Sequence, residues 1–170
     1  MKTQGYIKLI SSADINKDSV LELNILPSEK TPWHYHTLFS ETFEVLKRTL
    51  EVGKGKDIHH LKQGDIATIQ PNENHYYQNV SNQECIITKT LNPGNKNFEN
   101  YLFILKGLAK DGLASDAGTP RKFSDLALFI YLNNSRLVGF QKLAEPIFNF
   151  FAKAAIKKGH LNKLTKKYCK

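Results

Sequence analysis

Four side chains in the first half of the sequence could together bind a metal ion. His34 and His36 are two residues apart, Glu41 follows five residues later, and His75 comes 34 residues after Glu41. In an extended strand, residues two apart share one face and stand roughly 6.6 Å from each other, so two imidazoles can converge on one ion. The spacing therefore predicts a site of three nitrogens and one oxygen, formed by His34, His36, Glu41 and His75.

The position of Glu41 constrains the backbone of this site. Glu41 lies an odd number of residues beyond His36, so in an unbroken strand its carboxylate would point away from the imidazoles. We therefore expect the chain to bend between Thr37 and Ser40. His75 has to come from a later strand that folds back opposite the first.

The same residues form two motifs that resemble those of the cupin superfamily, G(x)5HxH(x)3,4E(x)6G and G(x)5PxG(x)2H(x)3N. The first is carried by Ser28, His34, His36, Glu41 and Arg48, and the second by Gly64, Gln70, Asn72, His75 and Asn79. Ser28 and Arg48 replace both glycines of the first motif, and the proline of the second is shifted to Pro71. Asn72 is a mild replacement for glycine, because asparagine tolerates left-handed backbone. The resemblance covers about residues 17–92.

This resemblance implies a double-stranded β-helix, or jelly-roll, barrel with one divalent metal ion. Imidazoles with one carboxylate suit iron, nickel, zinc and copper, and manganese is also compatible. Four protein ligands leave two adjacent positions open on an octahedral ion and none on tetrahedral zinc. The resemblance also makes a homodimer the default oligomeric state.

Two functions from different classes follow from the resemblance and remain open. The first is a small-molecule metalloenzyme, dioxygenase- or isomerase-like, with the substrate bound at the metal and Glu41 as a tentative catalytic base. The second is a metal-containing ligand-binding or sensing domain without turnover, whose basic tail contacts a partner or a membrane. The motifs do not choose between these two functions.

Strand alternation also predicts the neighbours of the site. Phe43 and Val45 alternate with Glu41, and Tyr77 shares the face of His75. We expect Phe43, Val45 and Tyr77 to line a mostly apolar pocket, with ordinary barrel core as the alternative.

Other charged or imidazole side chains near the motifs are less informative. Lys47, Arg48 and Lys89 could face the barrel mouth, but no pair of cations stands out for phosphate or carboxylate capture. His59 and His60 are adjacent, so a strand would point them to opposite faces, and we do not expect them to be ligands.

The first part of the chain is predicted to be mostly β. Short β-prone runs separated by turn residues are typical of a barrel, and they cover 18–27, 42–52, 57–61, 65–70, 75–80 and 84–91. After Asn92-Pro93-Gly94 the apolar spacing becomes helical. We therefore predict a cupin-like barrel over 1–92 and a helical C-terminal region over 93–170.

Within that region, three helical segments are predicted. One contains 101–109, and a second opens with Thr119 as N-cap and Pro120 at the first helical position and runs to Leu132. The third runs from about 138 to 158 and should be bent or interrupted by Pro146.

The net charge of +8 belongs to the C-terminal tail. Residues 136–170 contain nine Lys and Arg against the single acid Glu145, which equals the net charge of the whole chain. Such a basic amphipathic segment is expected to pack on the barrel or in a dimer interface, with an anionic membrane surface as the sharper alternative. Nucleic acid is disfavoured because no DNA-binding motif is present. His160, in this tail, is expected to be solvated.

Cysteine content and hydropathy favour a cytoplasmic location. Cys85 and Cys169 are too few for a disulfide framework and lack C-x-x-C spacing. The sequence contains no signal-peptide pattern and no apolar run of about 18 residues.

Overall fold

The computed structural model describes residues 5–115 and 119–169, which divide into two compact units, Met1–Lys96 and Asn97–Lys170. The first unit is built from strands and the second mainly from helices, so the predicted fold class, mostly β with a helical appendage, is confirmed. The strands of the first unit are β1 (Ile7–Ser11), β2 (Ser19–Ile25), β3 (His34–His36), β4 (Ser40–Lys47), β5 (Thr49–Lys54), β6 (Asp57–Lys62), β7 (Ile66–Ile69), β8 (His75–Gln78) and β9 (Cys85–Asn92).

These strands form two antiparallel sheets whose inner faces make the barrel core. One sheet has the order β1-β2-β9-β4-β7, and in the other β3, β8, β5 and β6 are neighbours in that order. Exposure alternates strictly along β2 and β9, which fixes their register because a slip of one residue would turn every apolar side chain outward. The inward apolar residues of these two strands are Leu21, Leu23, Ile25, Cys85, Ile87 and Leu91.

The substituted glycine positions of the two motifs all have left-handed backbone. The φ angles are 64° at Ser28, 72° at Arg48 and 68° at Asn72. Arg48 separates β4 from β5, which belong to different sheets, so the run 42–52 is two strands rather than one. Sequence pattern misses this break because the residues on both sides of Arg48 are β-prone, and arginine gives no turn signal.

The strained backbone at Arg48 leads to a prediction about stability. We expect Arg48→Gly to raise the free energy of unfolding by about 0.5–1 kcal/mol, because glycine removes the cost of a Cβ in the left-handed region. Lys47→Gly, one residue earlier in an extended and exposed position, should instead lower it by a similar amount. Urea unfolding of the two variants measures both values. A lower stability of Arg48→Gly than of the wild type would contradict this explanation.

The second unit is a small helical domain with its own apolar core. Its elements are α1 (Lys96–Lys110), α2 (Phe123–Leu132), β10 (Ser135–Leu137), a 3-10 helix (Gly139–Ala144), α3 (Glu145–Lys157) and α4 (His160–Tyr168). Its buried core includes Ile104, Leu108, Ala127, Leu128, Leu132, Ala152, Ala155 and Leu164. Within the described residues, the helices are too short or too polar to cross a bilayer.

Two predictions for the helical region, the start of the second helix and the solvated His160, were wrong, and one at Pro146 was right. The second helix begins at Phe123 rather than at Pro120, which forms an isolated bridge with Ala114. The interruption predicted at Pro146 is present, because a 3-10 helix ends at Ala144 and α3 begins at Glu145; Pro146 lies in the first turn of α3, where its missing N–H has no intrahelical acceptor in any case. His160 is not simply solvated, because its Nε2 contacts the buried carboxylate of Asp125.

Candidate metal centre

The four predicted ligands come together from three strands. His34 and His36 lie on one face of β3, and His34 is paired across the strands with His75 on β8. Glu41 lies on β4 in the opposite sheet, and the chain leaves β3 at His36 and enters β4 at Ser40, which provides the expected bend. One nitrogen or oxygen atom from each side chain lies within 4.8 Å of the others.

These four side chains are almost completely buried. Their exposed fractions are 6% for His34, 3% for His36, 1% for Glu41 and 0% for His75. Placing a carboxylate and three imidazoles together in a barrel interior is costly unless a charge or hydrogen bonds compensate them. Among the described residues this is the one group of three or more His, Cys, Asp or Glu arranged closely enough to hold an ion.

Two of the imidazoles are oriented by their own strands. His34 Nδ1 is 2.8 Å from the carbonyl oxygen of Pro32, and His75 Nδ1 is 3.0 Å from that of Glu73. A carbonyl oxygen can only accept, so each Nδ1 carries the proton. Nε2 is then the nitrogen that each ring presents to the cluster, and it is the position from which such a histidine would bind a metal.

The ionisation states of the cluster also suit a metal. Burial, reinforced by His75 and His36, lowers the pKa of His34 to about 3, so this ring is neutral near pH 7. Burial by itself would raise the pKa of Glu41, but Lys89, His36 and His75 outweigh it and hold that pKa well below its ordinary value. A neutral imidazole and an ionised carboxylate are the forms that act as ligands.

The spacing of the donor atoms fits a small divalent ion. His75 Nε2 is 3.2 Å from Glu41 Oε2, and His36 Nε2 is 3.5 Å from Glu41 Oε1. Ligands about 2.1 Å from one ion are about 3.0 Å apart when adjacent and about 4.2 Å apart when opposite. The largest separation in the group, 4.8 Å, therefore requires only a small inward movement. This donor set is compatible with iron, nickel, manganese or zinc.

One residue beside the cluster was named from the sequence only as a cation that could face the barrel mouth. Lys89 on β9 is buried, and its Nζ lies 3.1 Å from Glu41 Oε1. The same ammonium is 4.7 Å from the ring centroid of Tyr77 and 5.1 Å from that of Phe43. The sequence did indicate that Lys89 points inward, because it alternates with the apolar residues Ile87 and Leu91 on one face of β9.

The predicted pocket residues are all buried. The ring of Phe43 lies 6.4 Å from that of His75 and 5.5 Å from that of Tyr77, so both aromatic rings are close to the four donors. Val45 is buried on the same face of β4, and contact of all three with a ligand stays a prediction.

The remaining candidates from the sequence lie outside the cluster. His59 and His60 are exposed on β6, and Lys47 and Arg48 are exposed at the turn between β4 and β5. Asn79 of the second motif is buried and has a structural role, because its side-chain nitrogen donates to the carbonyl oxygens of Ile25 and Gln83.

Comparison with known proteins agrees with this geometry. The family model described as Cupin domain matches residues 21–90, which span β2 to β9 and include all four donors. The chain contains a cupin domain. No curated protein sequence matches the chain.

Solved structures show the same barrel. KdgF from Halomonas sp. is 12% identical, and the aligned region covers 55% of this chain and 82% of the KdgF chain, with a TM-score of 0.50. A predicted oxalate decarboxylase from Thermotoga maritima is 17% identical, covers 54% of this chain and 83% of its own, and also has a TM-score of 0.50. At these identities the likeness supports the cupin fold and leaves the reaction open.

Proposed function

We propose that the cupin domain binds one divalent metal ion and transforms a small oxygen-bearing molecule there, as a metal-dependent oxygenase or isomerase. The observation that carries this proposal is the convergence of three imidazoles and one carboxylate in the barrel interior. A bound ion would supply Lewis-acid or oxygen chemistry at the substrate oxygen. In an octahedral ion, four protein ligands leave two adjacent positions for that molecule.

The side chains around the donors favour an anionic substrate. Lys89 places an ammonium between the rings of Phe43 and Tyr77, beside the donor atoms of Glu41 and His36. A single cation in an apolar wall is well suited to orient a carboxylate or enolate oxygen through a charge-assisted hydrogen bond. Glu41 is the candidate proton acceptor, because it is the one carboxylate of the cluster.

The burial of the same cluster supports a second candidate function. All four donors are 6% exposed or less, which also suits a metal-containing binding or sensing domain without turnover. Two measurements on the iron-loaded full chain with hydroxy acids, diols and enols separate the two candidates: oxygen uptake, and conversion of the compound to a product, which also detects an isomerase. Uptake or conversion that disappears in His75→Ala supports the enzyme, whereas anion binding without consumption of any of these compounds supports the binding domain.

A variant of Lys89 tests the substrate class. With the manganese-loaded full chain, we expect Lys89→Met to weaken lactate binding by roughly tenfold to a hundredfold, because a hydrogen bond to a charged group is lost. Binding of the neutral lactamide should change little. Isothermal titration calorimetry measures both ligands, and Lys47→Met, at an exposed position, is the control. Equal lactate affinity in wild type and Lys89→Met would overturn the assignment to anionic substrates.

A further inference from the structure

Helix α3 exposes three of its large apolar side chains to solvent. Ile147, Phe150 and Phe151 follow one another at short helical steps and are 56%, 68% and 44% exposed. An adjoining side of the helix packs into the helical core through the buried Ala152 and Ala155 and the partly buried Phe148. An amphipathic helix normally buries its bulky apolar groups, so this orientation leaves apolar surface available for another contact.

The exposed apolar surface continues beyond α3. Leu143, in the preceding 3-10 helix, is 81% exposed, and Phe123, at the start of α2, is 47% exposed. The ring of Phe151 lies 5.0 Å from that of Phe123 and 5.5 Å from that of Phe150. We refer to these five residues as the apolar stripe: Phe123, Leu143, Ile147, Phe150 and Phe151.

Lysines share the exposed side of α3 with the apolar stripe. Lys153 and Lys157 come three and seven residues after Phe150, so they project from the same side of the helix, and both are exposed. Lysine stems cover apolar surface while the ammonium reaches a polar layer, so this combination is typical of helices that lie in a membrane interface.

The charge of the helical unit selects the kind of partner. Asn97–Lys170 contains 13 Lys and Arg against five acids, whereas Met1–Lys96 contains 11 of each sign. Joining two copies through this basic unit would place like charges against each other. An anionic lipid surface instead offers phosphates to the lysines and acyl chains to the aromatic rings.

We propose that the apolar stripe docks the protein on an anionic membrane surface. Ile147, Phe150 and Phe151 enter the boundary between headgroups and acyl chains, and Lys153 and Lys157 contact lipid phosphates. Attachment is peripheral and reversible, because the stripe belongs to short helices that lie on the surface. The proposal rests on the helical unit alone and is independent of the chemistry at the metal centre.

Vesicle sedimentation of the full chain tests this docking. Vesicles of phosphatidylcholine with roughly a third of phosphatidylserine should retain the wild type at 0.1 M salt, and pure phosphatidylcholine should retain much less, since each lysine near an anionic surface contributes severalfold in affinity. We expect Ile147→Ser/Phe150→Ser to weaken retention by at least about tenfold, because two exposed apolar groups no longer enter the bilayer.

Matched variants on the barrel distinguish docking through the apolar stripe from nonspecific adsorption to vesicles. Ile58→Ser/Ile66→Ser removes two apolar side chains that are 57% and 62% exposed on the barrel, and it should retain full vesicle binding. Lys153→Glu/Lys157→Glu should lose binding, in contrast to Lys56→Glu/Lys62→Glu, which changes two exposed barrel lysines.

Several results would overturn the proposal. One is equal retention of the wild type and Ile147→Ser/Phe150→Ser, with both correctly folded by circular dichroism. Another is absence of binding to anionic vesicles combined with a dimer that dissociates in that variant, which would assign the stripe to a second copy. Binding to duplex DNA without binding to vesicles would assign the lysines to nucleic acid.

Discussion

His75→Ala should abolish stoichiometric metal binding without unfolding the chain. We expect protein purified without chelators to contain about one equivalent of a divalent metal, and the variant to bind it more than about a hundredfold more weakly, because loss of a ligand costs more than loss of a ligand's hydrogen-bond partner. His75 lies in the centre of the cluster, with its Nε2 3.2 Å from Glu41 and its Nδ1 held by the backbone of Glu73. Elemental mass spectrometry measures the metal content.

The control for this experiment is His60→Ala. His60 is exposed on β6, outside the cluster, so its removal should leave the metal content unchanged. The barrel has an apolar core of its own, and we therefore expect a cooperative melting transition in both variants. Unchanged metal in His75→Ala would contradict the assignment, and loss of the melting transition would instead make the ion structural.

Glu41→Gln should destabilise the metal-free protein strongly. The substitution removes the carboxylate beside the buried ammonium of Lys89, and breaking a buried ion pair on one side costs about 3–5 kcal/mol. Adding Lys89→Met should recover about 2 kcal/mol of that loss, because the buried cation is then also removed. Urea unfolding in excess chelator measures the wild type, both single variants and the double variant.

An exposed ion pair provides the control for the loss of stability expected in this double-mutant cycle of Glu41 and Lys89. Lys96 and Asp14 are 2.6 Å apart with both side chains about half exposed, so Asp14→Asn should change stability by less than about 1 kcal/mol. Additive effects of Glu41→Gln and Lys89→Met would show that the two groups do not interact across the barrel.

The convergence of the four candidate ligands and the fold class were predictable, because metal chemistry restricts residue type and strand geometry restricts spacing. His34 and His36 have to share a face of one strand, and Glu41 could join them only after a bend. The burial of Lys89 was harder to predict, since it depends on where β9 pairs between β2 and β4, a contact between distant parts of the chain. The left-handed backbone at Arg48 was indicated only by the glycine that the motif has at this position, because arginine itself is not typical of that conformation.

In the helical unit, local sequence patterns were a poorer guide than in the barrel. Thr119 and Pro120 have the local pattern of a helix start, yet the chain first forms the bridge between Pro120 and Ala114. Apolar periodicity located α3 but not its orientation, since the core side takes Ala152, Ala155 and one aromatic ring, Phe148, while Phe150 and Phe151 are exposed. Which face of a helix is buried depends on the shape of the partner surface, and side-chain hydropathy alone does not contain that shape.

Two backbone carbonyl oxygens determine the tautomers of His34 and His75 separately, one for each ring. Each carbonyl belongs to the residue two places earlier in the same segment, Pro32 for His34 and Glu73 for His75. Each strand therefore sets the tautomer of its own histidine locally, before the barrel closes. Errors in sheet assembly would alter the distances between the donors but not which nitrogen each ring presents. Pairing between the sheets therefore determines the distances between the donors, whereas the nitrogen that His34 and His75 present is determined by contacts two residues away.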